Sequence, residues 1–246
     1  MENETKSSAA VLADLIRGAN RIVFLGGAGV STESGIPDFR GSGGLYTEAA
    51  AIPPEVILSH SFFVKNPEAF YRFYREKMLF PDAKPNAAHK ALAELERMGK
   101  LTAVLTQNID GLHQKAGSKK VIELHGTTLK NYCMKCGKSF PVEYILEQEG
   151  VPRCDKCGGI VKPDVVLYEE SLHDGDMEEA VRLIRKADMF IVGGTSLTVY
   201  PAAGLVDYYR GKRLVLINKS TTPYDSSADL VIHDSIGKVF RQCVLQ

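Results

Sequence analysis

Residues 9–19 place Val11, Leu12, Leu15 and Ile16 at helical spacing, with Ser7 or Ser8 available as a cap, and predict a first helix. The pattern then changes. Arg21-Ile22-Val23-Phe24-Leu25 is a short, largely apolar run that stops at glycine, and it reads as a strand. Comparable runs recur at 102–105, 189–192, 214–217 and 230–232, with helical patterns at 86–98, 176–186 and 202–209 between most of them. Strands without a polar face, alternating with helices, predict an α/β fold in which a parallel sheet is covered by helices on both faces. Such a sheet carries its ligand loops at the carboxyl ends of the strands. Those ends hold Gly26-Gly27-Ala28-Gly29, Gln107-Asn108-Ile109-Asp110, Gly193-Gly194-Thr195-Ser196 and Asn218, which would converge on one crevice.

The alternation breaks at 126–164, a stretch rich in Lys, Gly and Cys with one short helical pattern at 142–148. Here Cys133 and Cys136 are followed, after seventeen intervening residues (137–153), by Cys154 and Cys157. Two Cys-x2-Cys turns facing each other make a tetrahedron of thiolates, the spacing of a zinc ribbon. Four protein ligands leave no position for water, so a single zinc per chain is expected to be structural; a redox dithiol is the alternative. The segment is too short to bury a core alone. It is therefore expected to be a zinc-binding insertion, 126–164, in a discontinuous main domain, 1–125 and 165–246, with part of the small lobe drawn from about 40–85. Lys130, Lys135, Lys138 and Lys156 fit a solvated surface, and Cys243 an incidental thiol.

Composition narrows the function classes. At 246 residues with 44% hydrophobic and 24% charged positions, the chain is an ordinary globular protein of one or two domains. Lys+Arg 30 balance Asp+Glu 30, which removes any general attraction to nucleic acid or a membrane surface. No apolar stretch approaches the ~20 residues that span a bilayer. Residues 1–8 are polar and mixed in charge, unlike a secretory leader, so a cytoplasmic location is expected.

Gly27-Ala28-Gly29 after a strand lets backbone approach a pyrophosphate, but the third glycine of the dinucleotide fingerprint is absent, as is an acidic residue closing the next strand. Asn218 is either a ribose partner or a turn residue. The segment 33–40, with glycine, proline, Phe39 and Arg40, is either a surface loop or a lid in which Arg40 meets phosphate and Phe39 covers a ring. Among six histidines, His125 has a distinctive address, between the short strand pattern 121–124 and Gly126. A neutral imidazole there is a natural general base. His60, His89, His113, His173 and His233 fit structural or surface roles.

Together these strings resemble the sirtuin family, the NAD-dependent protein lysine deacylases. The match takes in Gly27-Ala28-Gly29-Val30-Ser31, Gly35-Ile36-Pro37-Asp38-Phe39-Arg40, Thr106-Gln107-Asn108-Ile109-Asp110, Leu124-His125-Gly126, the four cysteines, Gly194-Thr195-Ser196-Leu197 and Asn218. The resemblance implies a Rossmann-like large domain, a small zinc lobe, and a cleft between them for NAD and an acyl-lysine peptide. Gly27, Ala28, Gly29, Phe39, Arg40, Gln107, Gly194, Thr195, Ser196 and Asn218 would contact NAD. Asn108, Ile109 and Asp110 would line the nicotinamide pocket, Asn108 with a catalytic part, and His125 would be the general base. The acyl group would pass from lysine to ADP-ribose, releasing nicotinamide and O-acyl-ADP-ribose; transfer of ADP-ribose to protein is the alternative activity. The peptide would add as a strand between Val166-Leu167-Tyr168 and the segment near Val199. Three departures stand out: Gly26 for a frequent threonine, Glu169 where a glycine often adjoins the peptide, and Tyr71 followed by Tyr74 where succinyl-preferring members resemble one another in Tyr-x-x-Arg. The last favours acetyl or other uncharged acyl groups.

Overall fold

The computed structural model describes residues 7–39, 41, 44, 45 and 52–245; Arg40, expected at the cofactor, lies outside them. The strands are β1 (Ile22–Gly26), β2 (Leu101–Thr106), β3 (Val121–Glu123), β4 (Gly126–Cys133), β5 (Ser139–Pro141), β6 (Val161–Val165), β7 (Met189–Gly193), β8 (Leu214–Ile217) and β9 (Leu230–Ile232). Six of them form one parallel sheet in the order β3-β2-β1-β7-β8-β9, and β5-β4-β6 form a smaller antiparallel sheet. In the large sheet the chain runs outward from β1 in one direction and from β7 in the other. That reversal opens a crevice beyond their carboxyl ends.

Register makes the crevice sharp. Glu123, Thr106, Gly26, Gly193, Ile217 and Ile232, the last residues of the six strands, pair in one continuous row. Every loop that follows therefore leaves the sheet at the same level.

The helices are α1 (Ser8–Arg17), α2 (Pro54–Ile57), α3 (His60–Lys65), α4 (Pro67–Lys77), α5 (Ala87–Arg97), α6 (Leu112–Ala116), α7 (Val142–Glu147), α8 (Asp174–Lys186) and α9 (Ile236–Cys243). Strand alternation sends Ile22 and Phe24 to one face of the sheet, where they meet Leu12, Ile16, Leu92 and Phe240 of α1, α5 and α9. Val23 and Leu25 go to the other face, against Leu183 and Ile184 of α8 and Leu205 and Val206 of a 3-10 helix. The expected layers are present. Ser7 caps α1 by accepting from the Ala10 N–H at 3.3 Å.

A third cluster belongs to the small lobe and joins Phe63, Phe70, Tyr71 and Tyr74 to Phe140, Ile145, Val161 and Val165. Phe63 and Phe70 pack edge-on at 4.9 Å, the Tyr71 hydroxyl donates to the Val161 carbonyl, and Arg75 donates to the carbonyls of Ile145 and Gly150, each at 2.8 Å. Helices α3 and α4 thus supply the apolar surface that the cysteine segment lacks.

Two local expectations are corrected. Residues 202–209 form a 3-10 helix, Ala202–Tyr208, and the glycine loop, which as a dinucleotide-type turn would open a helix at Val30-Ser31, is instead followed by two 3-10 turns, Ala28–Val30 and Thr32–Ser34, ended by Gly35 at φ +85°. Closely spaced glycines deny that segment a continuous helix.

Candidate active site and metal centre

A cavity of about 1010 Å³ lies between the carboxyl edge of the large sheet and the small lobe. Its walls contain Gly27, Ala28, Gly29, Phe39, Gln107, Asn108, Ile109, Asp110, His125, Gly194, Thr195, Ser196 and Asn218, together with Val166, Leu167, Tyr168 and Val199. Residues dispersed over nearly two hundred positions share one cleft because their strands end in one row.

At the switch point the two glycine loops touch. The Gly29 N–H donates to the Gly194 carbonyl at 2.8 Å, and a Cβ at Gly29 would stand 2.8 Å from the Gly194 Cα. Gly194 itself sits at φ +62°, where a Cβ would lie 2.4 Å from the Val30 nitrogen. This side-chain-free cradle fits a diphosphate held close to backbone. Gln107 Nε2 donates to Thr195 Oγ1 at 3.1 Å and ties the β2 and β7 loops together. Asn218 Nδ2 donates to the Ser220 carbonyl at 2.8 Å, so the residue shapes its own turn as well as lining the cleft.

Below the cradle runs a polar chain. Asn108 Nδ2 donates to Ser31 Oγ at 3.0 Å, Ser31 Oγ donates to Asp110 Oδ2 at 2.6 Å, and Asp110 Oδ1 accepts the Leu112 N–H at 2.9 Å. Thr106 Oγ1 accepts the Asn108 N–H at 3.0 Å. Asn86, the N-cap of α5, donates to the Val30 carbonyl at 2.7 Å and to Ser34 Oγ at 3.0 Å, fastening the loop from behind. The hydrogen-bonding parts of Ser31, Thr106 and Asn86 escaped the sequence reading. Asn86 alone carries a readable signal, as a cap.

His125 Nδ1 lies 3.0 Å from the Gln107 carbonyl oxygen. A carbonyl only accepts, so Nδ1 carries the proton and Nε2 keeps its lone pair. Burial lowers the pKa of the ring below its ordinary 6.5, against the opposing pull of the Gln107 bond. Burial, the larger effect, favours the neutral imidazole, and the bond fixes its tautomer.

The bank expected to meet a peptide is partly committed within the protein. The Tyr168 N–H donates to the Leu58 carbonyl and the His60 N–H donates to the Tyr168 carbonyl, both at 3.0 Å. Glu170 accepts the Leu167 N–H at 2.9 Å, Lys162 Nζ at 3.1 Å and bonds His60 Nδ1 at 2.9 Å. Burial opposes ionisation of Glu170, yet these partners hold its carboxyl below the usual range.

In the small lobe, Cys133 and Cys157 sulfurs are 3.4 Å apart, those of Cys136 and Cys154 3.7 Å, and all four lie within 4.8 Å of one another. A disulfide needs about 2.05 Å, which excludes one. Four thiolates about 2.3 Å from a common zinc would be about 3.8 Å apart, and this cluster fits that shell. The four cysteines are placed to bind one zinc.

The Sir2 family model matches residues 27–201. An NAD-dependent protein deacetylase of Clostridium acetobutylicum is 61% identical over 95% of this chain and 96% of its own. The NAD-dependent protein deacetylase of Staphylococcus aureus strain N315 is 44% identical over 98% of this chain and 100% of its own. Among solved structures, a complex of a Sir2 homologue with NAD superposes with a TM-score of 0.87 at 40% identity, covering 96% of this chain and 92% of that one. A Sir2–p53 peptide–NAD+ complex superposes with a TM-score of 0.84 at 43% identity, covering 96% and 97%.

Proposed function

The chain belongs to the Sir2 family and is an NAD-dependent protein deacetylase, and on that premise we propose how its residues divide the work. NAD supplies an electrophilic ribose carbon and a departing nicotinamide; the residues position, shield and deprotonate. Gly27, Ala28, Gly29 and Gly194 cradle the diphosphate. Gln107, Thr195, Ser196 and Asn218 hold the rest of the dinucleotide. Arg40 and Phe39 complete the cover, and Asn108, Ile109 and Asp110 shape the nicotinamide pocket. His125 Nε2 takes a proton from a ribose hydroxyl. An amide oxygen is a weak nucleophile, so the rate comes from alignment and exclusion of water. The zinc site is structural. The names of the relatives favour deacetylation over ADP-ribosyl transfer to protein.

The same reading divides the chain into 1–125 with 165–246, and a zinc insertion, 126–164, completed by helices from about 40–85; the shared aromatic cluster supports it. It also places the protein in the cytoplasm. Among the described residues no helix is long and apolar enough to cross a membrane. The peptide seats along the Val166 carbonyl and the side chains of Leu167 and Tyr168, opposite Val199, because the Val166 N–H already donates to the His125 carbonyl and the main-chain groups of Leu167 and Tyr168 are bonded as well.

The observation that carries this proposal is the His125 imidazole, neutral and oriented by Gln107, in the wall of the glycine-cradled cleft. The decisive experiment is mass spectrometry of an acetyl-lysine peptide incubated with NAD. Wild type should yield O-acetyl-ADP-ribose, and His125→Ala should lose about 10²–10⁴-fold in rate while still binding NAD by calorimetry. Full activity of the variant would remove His125 from the mechanism.

A further inference from the structure

Both banks of the peptide seat carry exposed aromatic rings at the cleft. Tyr168 is 38% exposed on one side and Tyr200, next to Val199, is 68% exposed on the other. Between them in function stands a carboxylate that the fold holds still. Glu169 adopts φ +74°, a left-handed conformation that costs a non-glycine residue energy. Its Oε2 accepts the Ser61 N–H at 2.9 Å at the start of α3, which fixes the side chain at the rim of the cleft. Hydrogen bonds from Ser61 keep the carboxyl ionised, with His60 and Lys65 in its field. Its neighbour Glu170 is already bonded to Lys162 Nζ, His60 Nδ1 and the Leu167 N–H, which leaves Glu169 the less committed of the two carboxylates.

A planar cation suits this set best: it stacks on tyrosine faces and meets a carboxylate through two N–H groups. We propose that the mouth of the cleft selects acyl-lysine peptides in which an arginine flanks the acylated lysine, read by the Glu169 carboxylate and the rings of Tyr168 and Tyr200. The inference rests on the peptide seat proposed above. Arginine binds before and during the reaction alike, so the selection appears in KM rather than kcat.

The test compares acetyl-lysine peptides that differ only in carrying Arg, Gln or Glu within two residues of the modified lysine. An exposed ion pair with a cation–π contact predicts kcat/KM about tenfold higher for the best-placed Arg than for Gln, with Glu lowest. In Glu169→Gln, which keeps an acceptor for Ser61, and in Tyr200→Leu, an exposed position, the Arg-to-Gln ratio should fall to about threefold or less. Raising salt should narrow the wild-type ratio. Equal turnover of all three peptides, or an Arg preference unchanged in both variants, would overturn the inference and leave the deacetylase standing. Failure to turn over any of them would sink the seat itself.

Discussion

A single hydrogen bond decides the chemistry of His125. Because the Gln107 carbonyl claims Nδ1, Nε2 keeps its lone pair, and because burial lowers the ring's pKa, the ring suits the part of base proposed for it. The acid limb of kcat/KM should therefore fall below pH 6.5, the ordinary imidazole value; a limb above it would mean that the charged form is stabilised in the cleft. His89 and His113 show the opposite use of the same side chain. Both are fully buried, their rings stand 4.7 Å apart, and burial lowers them to about 4 and about 3. Their folded pKa values lie below the unfolded one, so the unfolded chain binds more protons between roughly pH 3 and 6.5. The stability they permit is complete above pH 6.5 and is lost as pH falls toward 4 and 3, at up to about 1.4 kcal/mol per pH unit for each proton. Chemical denaturation across this range should show that slope, reduced in His113→Leu; an unchanged slope would clear the pair of the effect. At this scale the sequence was informative where a local string marks a residue, as at His125, which lines the cleft. It was silent on Ser31, whose partners Asn108 and Asp110 lie nearly eighty residues away.

Elements turn such residues into a site, and glycine governs how closely they approach. The β1 and β7 loops meet backbone to backbone, with Gly194 at a positive φ and no room for a Cβ against Val30. Gly194→Ala should lose about 1–3 kcal/mol of stability from strain alone. It should also weaken NAD binding by at least tenfold in calorimetry, since either loop must withdraw from the other. Retained affinity with lowered stability would show that the cradle tolerates separation. Strands β1, β2, β7 and β8 were legible because they are buried almost throughout and read as largely apolar runs, and the half-buried edge strand β9 keeps the apolar run Leu230-Val231-Ile232. Strand β4 was not. Its burial alternates only in part, with Leu129 and Tyr132 facing solvent, and its Lys and Gly neighbours read as loop. Helices α2 and α3, of four and six residues, are too short to show a period.

Across the whole molecule, the cysteine site and the wall of the cleft share one apolar cluster. The cysteine segment packs on α3 and α4, and the same cluster contains Leu167, a wall of the cleft beside the proposed peptide seat. The two clusters on either side of the large sheet contain none of the metal-binding cysteines. Structural zinc contributes about 10–16 kcal/mol of apparent binding energy in small domains, comparable with the ~5–15 kcal/mol that holds a whole protein folded. Its loss should release β4–β6 and with them the peptide wall, while the large sheet survives on its own burial. Stripping the metal with a chelator, verified by a zinc assay, should abolish turnover of acetyl-lysine peptide, leave most of the helical circular dichroism intact, and leave NAD affinity within a few-fold. Adding zinc should restore activity, and Cys154→Ala should reproduce the stripped state without a chelator. If turnover persists in zinc-free protein, the small lobe is held by its aromatic packing, and Phe63, Phe70 and Tyr71 suffice without the metal.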